Sequence, residues 1–105
     1  MSNEPNVITL DLNGCKHLNE MHERIKTAFD FPEWYGKNWS AFWDLLSEPR
    51  EYTLVEIKGI SALPKDLKGS GEMLIKLIDE NKKEWDKYMK NDGKFDRRFE
   101  YTITY

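Results

Sequence analysis

The chain has 105 residues but only one cysteine and two histidines, and no apolar run approaches the roughly 20 residues that a membrane-spanning helix needs. A lone Cys15 cannot close an internal disulfide, and together with His17 and His22 it falls short of a four-ligand zinc set. The two histidines are five positions apart, about 140° around a helix, so they do not share a face as an i, i+4 metal pair does. No metal site or cofactor is expected. Gly69-Ser70-Gly71 lacks the lysine and the spacing of a phosphate loop and reads as a flexible connector. Positive charge is scarce in the front half: residues 1–52 hold nine acids against five bases, residues 53–105 hold ten against eleven, and the net charge is −3. This balance disfavours a nucleic-acid phosphate partner and favours a basic protein. The opening Met1 to Val7 has neither a basic nor an apolar leader pattern, so a cytoplasmic protein without a membrane partner is expected.

What is present suits one core. A composition that is 39% hydrophobic and 13% aromatic can fill a single domain of this length, taken as residues 1–105, because no repeat or low-complexity linker divides it. Val7 to Leu12 is a β-branched run ended by Asn13-Gly14, a turn pair tolerant of positive φ, and predicts strand one. Leu18, Met21, Ile25, Ala28 and Phe29 recur at helical spacing, with Asn19 placed to cap and Glu20 in the first turn. That helix ends near Asp30, because Pro32 pushes Phe31 out of the helical region. Asn38 predicts the cap of a short helix over 39–46, carrying Trp39, Phe42, Trp43 and Leu46 at i, i+3, i+4 and i+7 and closed by Pro49.

Tyr52 to Ile57 reads as strand two, followed by a short turn or helix around 62–67. The longest helix is expected over about 71–90, with Leu74, Leu77, Ile78, Trp85, Tyr88 and Met89 on its apolar stripe and a stop at Asn91-Asp92-Gly93. Phe99, Tyr101, Ile103 and Tyr105 alternate with polar residues, the period of a half-buried third strand. Strands alternating with helices predict an α/β fold: a small three-stranded parallel sheet with about four helices, mostly on one side, and one sheet face partly wet.

Nucleophilic chemistry has thin material here. An enzymatic reading would need Cys15 beside His17 or His22, whereas such a cysteine is ordinarily a small core filler and such a histidine a surface or capping residue. The stretch from Phe31 to Leu46 is more informative, because it holds three of the four tryptophans. Trp39, Phe42 and Leu46 have the spacing of core residues. Trp34 lies in a loop between Pro32 and Gly36, where aromatic residues commonly anchor protein interfaces. With Trp39 at 0° on a helical wheel, Ser40 and Asp44 fall at about 100° and 140°, on an outward stripe opposite the apolar one.

This stretch resembles the signature of the barstar family, intracellular inhibitors of barnase-type secreted bacterial ribonucleases. The matching residues are Pro32-Glu33-Trp34-Tyr35-Gly36-Lys37-Asn38, Ala41, Trp43-Asp44 and Leu46. Asn13-Gly14 and Glu20-Met21-His22 upstream, and Gly71-Glu72 with Glu80 downstream, resemble family positions at similar spacing. The likeness covers most of residues 7–90 and fades beyond about Glu84, leaving the stretch 85–98 unsupported.

The resemblance implies an inhibitor that plugs a ribonuclease active site with acids and an aromatic. Asp44 would enter the enzyme's phosphate pocket and Trp34 would lie against a catalytic histidine or the base site. Gly36 and Asn38 would shape the loop, Trp43 would pack beside it, and Glu80 would add a second anchor with Leu77 as its apolar neighbour. The family usually carries an acid one turn before the aspartate, where this chain has Ser40. One carboxylate fewer means less charge to meet a basic cleft and points to a different ribonuclease target. The expected role is therefore an immunity protein that is not itself an enzyme, monomeric when free and binding one to one to a cognate secreted or contact-delivered ribonuclease toxin. A non-inhibitory interaction module of the same fold is the alternative.

Overall fold

The computed structural model describes residues 6–48, 52–91 and 99–105, with side chains described as far as 87 in the second stretch. Its elements run β1 (Asn6–Asp11), α1 (Leu18–Phe29), α2 (Trp39–Leu46), β2 (Thr53–Lys58), two single 3₁₀ turns (Ile60–Ala62 and Lys65–Leu67), α3 (Lys68–Asn91) and β3 (Phe99–Thr104). The strands form one parallel sheet in the order β1-β2-β3. The expected α/β class therefore holds, with three α-helices among the described residues and 3₁₀ turns where a fourth was expected.

Register explains why one face is covered and the other wet. The row Ile8–Val55–Tyr101 and the row Leu10–Ile57–Ile103 point to the helices, and Thr53–Phe99 continues that face. Ile8, Leu10, Val55, Ile57 and Phe99 are buried there, with Tyr101 and Ile103 packed against them. Thr9–Glu56–Thr102 and Asp11–Lys58–Thr104 occupy the opposite face, where a charged or hydroxyl side chain costs nothing to hydrate.

Several local expectations are corrected. The N-cap of α1 is His17, not Asn19, and its side chain makes no capping bond. Glu20 closes the helix start instead, its Oε1 accepting from the Lys16 N–H at 2.9 Å. The helix ends where Asp30 takes a left-handed conformation (φ 55°) and the Phe31 N–H reaches back to the Lys26 carbonyl, a closure that needs no proline. Leu18 is exposed and His22 is buried on the inward face of α1, so the histidine is neither a surface nor a capping residue.

Gly69-Ser70-Gly71 is not a connector, because α3 begins at Lys68 and runs through it. Packing overrides the poor helix propensity of these residues. A Cβ on Gly71 would sit 2.7 Å from Leu63 Cδ1, so the missing side chain lets the 60–67 segment lie directly on the first turns of the helix. Along α3 the buried positions among the described side chains are Gly71, Leu74, Ile78, Asn81 and Trp85, with Leu77 partly covered. Asn81 takes an inward position that the apolar pattern skips. Pro49, the Asp92-Gly93 part of the helix stop, the 92–98 part of the extension and the side chains of Tyr88 and Met89 lie outside the described residues.

Candidate functional site

The loop joining α1 to α2 is built on rings. Phe29 stacks on Phe31 (5.3 Å between centroids), Phe31 meets Tyr35 (5.1 Å), Tyr35 meets His22 (5.8 Å), His22 meets Trp39 (4.7 Å), Trp39 meets Phe42 (5.8 Å), and Phe42 returns to Phe29 (5.8 Å). These separations lie in the range where tilted and edge-to-face pairs attract. The circuit ties the end of α1, the loop and the start of α2 into one body.

Three residues of α1 hold the loop at alternate positions. Lys26 Nζ bonds Glu33 at 2.8 Å, His22 Nδ1 lies 2.7 Å from the Tyr35 hydroxyl, and Glu23 pairs with Lys37. The residues between point the other way. Trp34 is 74% exposed, the most exposed large hydrophobic of the described residues, and Gly36 is exposed beside it.

The end of the loop is fixed by Asn38. Its Oδ1 accepts from the Ala41 N–H at 2.8 Å, capping α2 as expected, and its Nδ2 donates to the Gly36 carbonyl at 3.1 Å. A Cβ on Gly36 would meet that same Nδ2 at 3.0 Å, so the glycine permits the close turn. Lys37, between them, takes a left-handed φ of 51°.

On α2, Ser40 and Asp44 are exposed and share the outward stripe. The inward face comprises Phe42, Leu45 and Leu46, centred near 300° on the same wheel, which leaves Trp39 and Trp43 half-buried on its edge. Trp39 is the tryptophan that packs beside the loop anchors. Trp43 looks toward α3, where it lines an open groove of about 480 Å³ with Glu80, Lys83, Glu84, Asp86 and Lys87. Trp43 and Glu80 are thus brought together from two elements, while Leu77 packs against the core. Among the described residues neither Asp44 nor Glu80 has a cationic partner, whereas Glu84 pairs with Lys87 at 3.5 Å.

The electrostatics of the loop follow from burial. Burial, reinforced by the Lys37 charge, holds the His22 imidazole below its ordinary value, and burial pushes the Tyr35 phenol up to about 12. Both groups are therefore neutral around pH 7, as a buried hydrogen-bonded pair should be. Cys15 is buried with its thiol pushed up by the same cause, and its Sγ lies 3.6 Å from the His17 carbonyl. With the His22 ring committed to Tyr35, no imidazole bonds that thiol among the described residues, so the pair needed for thiolate chemistry is not assembled.

The sequence marks His22 and Tyr35 as family-like positions, with His22 read as a surface or capping residue, but it does not reveal that they pair. Their adjacency depends on how α1 docks on the loop thirteen positions later. The usable signal was the place of His22 one residue after Met21 and three before Ile25, on the buried side of the α1 wheel.

Comparison with known proteins returns a consistent match. The family model described as Barstar (barnase inhibitor) matches residues 6–100. A protein of Bacillus subtilis (strain 168) named "Putative ribonuclease inhibitor YrdF" is 35% identical over 40 residues, which cover 38% of this chain and 44% of that protein. The matched segment thus spans less than half the length of this curated relative.

Proposed function

The chain belongs to the barstar family, and from that membership we propose that it inhibits a barnase-type ribonuclease by covering the enzyme's active site with the Trp34 loop and the outward stripe of α2. The observation that carries this reading is the pairing of Trp34, exposed on a loop held from its inner side by the buried Tyr35–His22 contact and the ring circuit, with Asp44 and Glu80, exposed acids without a cation among the described residues. An anchor already held in place loses little conformational freedom on binding, and an acid without an internal partner has no ion pair to break before it meets a basic cleft.

In this reading Asp44 enters the phosphate pocket, Trp34 lies over the base site or a catalytic histidine, and Trp43 with Glu80 forms a second contact, flanked by Leu77. Gly36 and Asn38 shape the loop. Ser40 leaves α2 with one acid on its stripe, which suits a target whose cleft is less basic than that of a two-acid inhibitor. The biological role is immunity: a cytoplasmic chain that is not itself an enzyme neutralises, one to one, the ribonuclease toxin it is paired with, and is a monomer when free.

Calorimetric titration against barnase-type ribonucleases tests this. A complex of one to one stoichiometry that weakens as salt rises supports the reading. Failure to bind any ribonuclease contradicts it, and a complex that leaves RNA cleavage untouched would make the chain a non-inhibitory interaction module.

A further inference from the structure

The three tethers between α1 and the loop are unequal. In the Lys26–Glu33 pair the glutamate side chain is 96% exposed, and both partners of the Glu23–Lys37 pair are more than a third exposed. Water and salt screen such pairs, so they fix a loop weakly. His22 is 2% exposed, and it alone of the three touches two elements besides its own: the loop through the Tyr35 hydroxyl, and α2 through the Trp39 ring.

We infer that His22 is the positioning residue of the Trp34 loop: in its neutral Nε2–H form it accepts a hydrogen bond from the Tyr35 hydroxyl at Nδ1, and its ring sets the place of Trp39, so that Trp34 is presented outward in one geometry. The effect of His22 on a partner rests on the proposed inhibition; its effect on the free chain does not. Tyr35 is an immediate chain neighbour of Trp34, so fixing the Tyr35 ring inward fixes the direction of the peptide that carries Trp34. The charged groups around His22 are Lys37 on the loop and Glu23 on α1, which hold each other; a bare Nδ1 gives the buried Tyr35 proton an acceptor, whereas a protonated Nδ1 would make the phenol oxygen accept and leave its own proton without one among the described residues. An aliphatic residue at position 22 would fill part of the space and leave the Tyr35 hydroxyl buried without its acceptor.

Amide hydrogen exchange on the free full-length chain reads this directly. His22→Leu is expected to speed exchange of the Tyr35 amide, which donates to the Pro32 carbonyl at 3.0 Å, at least tenfold while the amides of Leu74 to Ile78 keep their rates. His22→Asn, whose Oδ1 stands near the place of Nδ1, is expected to recover part of the protection. Nitrogen NMR of the imidazole is expected to show a bare Nδ1 and a protonated Nε2. Tyr35→Phe removes the bond while keeping both rings in place, and is expected to speed exchange of the same amide at position 35, which secures the test if His22→Leu does not fold. With barnase as probe, His22→Leu should slow association. Equal acceleration at position 35 and in α3, unchanged exchange of that amide in Tyr35→Phe, or a protonated Nδ1 at neutral pH would each overturn the inference. Lack of binding to any barnase-type ribonuclease by the unmodified chain would count against the inhibitory reading and leave the exchange result to decide the role of His22 on its own.

Discussion

Trp34 and Tyr35 are neighbours in the chain and opposites in environment: Trp34 is 74% exposed, while Tyr35 is 4% exposed with its hydroxyl 2.7 Å from His22 Nδ1. One residue keeps the loop in place and the next is displayed by it. The division separates what the loop needs for folding from what it offers to a partner.

Trp34→Ala should therefore change binding and spare the fold. An exposed side chain outside the core contributes within about 0.5 kcal/mol to stability, whereas an aromatic anchor at an interface is worth about 2 kcal/mol or more. Thermal unfolding checks the first expectation and calorimetry with the ribonuclease partner the second.

Restoring an acid to the α2 stripe tests the meaning of Ser40. The first turn of α2 contains no acid, so Ser40→Asp gains a favourable place at the positive end of the helix, which offsets the repulsion of about 0.2–0.5 kcal/mol from Asp44 one turn on. Stability should stay nearly constant. The association rate with barnase should rise several-fold at low salt, and the gain should shrink as the ionic strength approaches about 0.15 M and beyond. Stopped-flow fluorescence at two salt concentrations reads both.

Gly59 marks a strained join. Its φ is +83°, and a Cβ there would come within 2.6 Å of the Asn13 backbone nitrogen, an atom that cannot swing aside. Gly59→Ala should cost about 1–3 kcal/mol, and each kcal/mol lowers the unfolding temperature by about 4–8 °C in a domain of this size.

How far the sequence could be read depends on whether the cause was local. The three strands and α2 with its Asn38 cap are set by periodicity, β-branching and one side-chain bond, all within a few residues, and each was legible to within about one position. Trp34 and Asp44 were legible as exposed for the same reason. Three features were not. His22 looks like a polar residue near a helix start, and only the docking of α1 on Tyr35 and Trp39 makes it a buried hydrogen-bonding partner. Gly69-Ser70-Gly71 has the composition of a linker, yet Leu63 fills the space that Gly71 leaves open. Trp39 and Trp43 sit at neighbouring angles of the wheel, and which of them faces the loop is decided by where α3 packs.

Two buried groups give stability a pH profile with a loss at each end. His22 is held below its ordinary value of 6.5, so the unfolded chain takes up the proton first. Its contribution is complete above about pH 6.5 and declines as pH falls below that value. Tyr35 is raised from 10 to about 12, so its contribution is complete below pH 10 and is lost as pH climbs toward 12. Denaturation of Tyr35→Phe between pH 9 and 12 should show a flatter alkaline limb than that of the unmodified chain.

Whether a positioned aromatic and an acid close a ribonuclease active site is tested most directly by following RNA cleavage by each of a panel of barnase-type ribonucleases as the chain is added, and by reading the variants on the enzyme that the unmodified chain inhibits. Cleavage is expected to fall to zero at one equivalent, Trp34→Ala and Asp44→Ala are each expected to demand excess protein for the same inhibition, and Asp44→Lys is expected to abolish it. Full inhibition by Asp44→Lys, or cleavage by every ribonuclease of the panel that continues with the unmodified chain in excess, would contradict the plug.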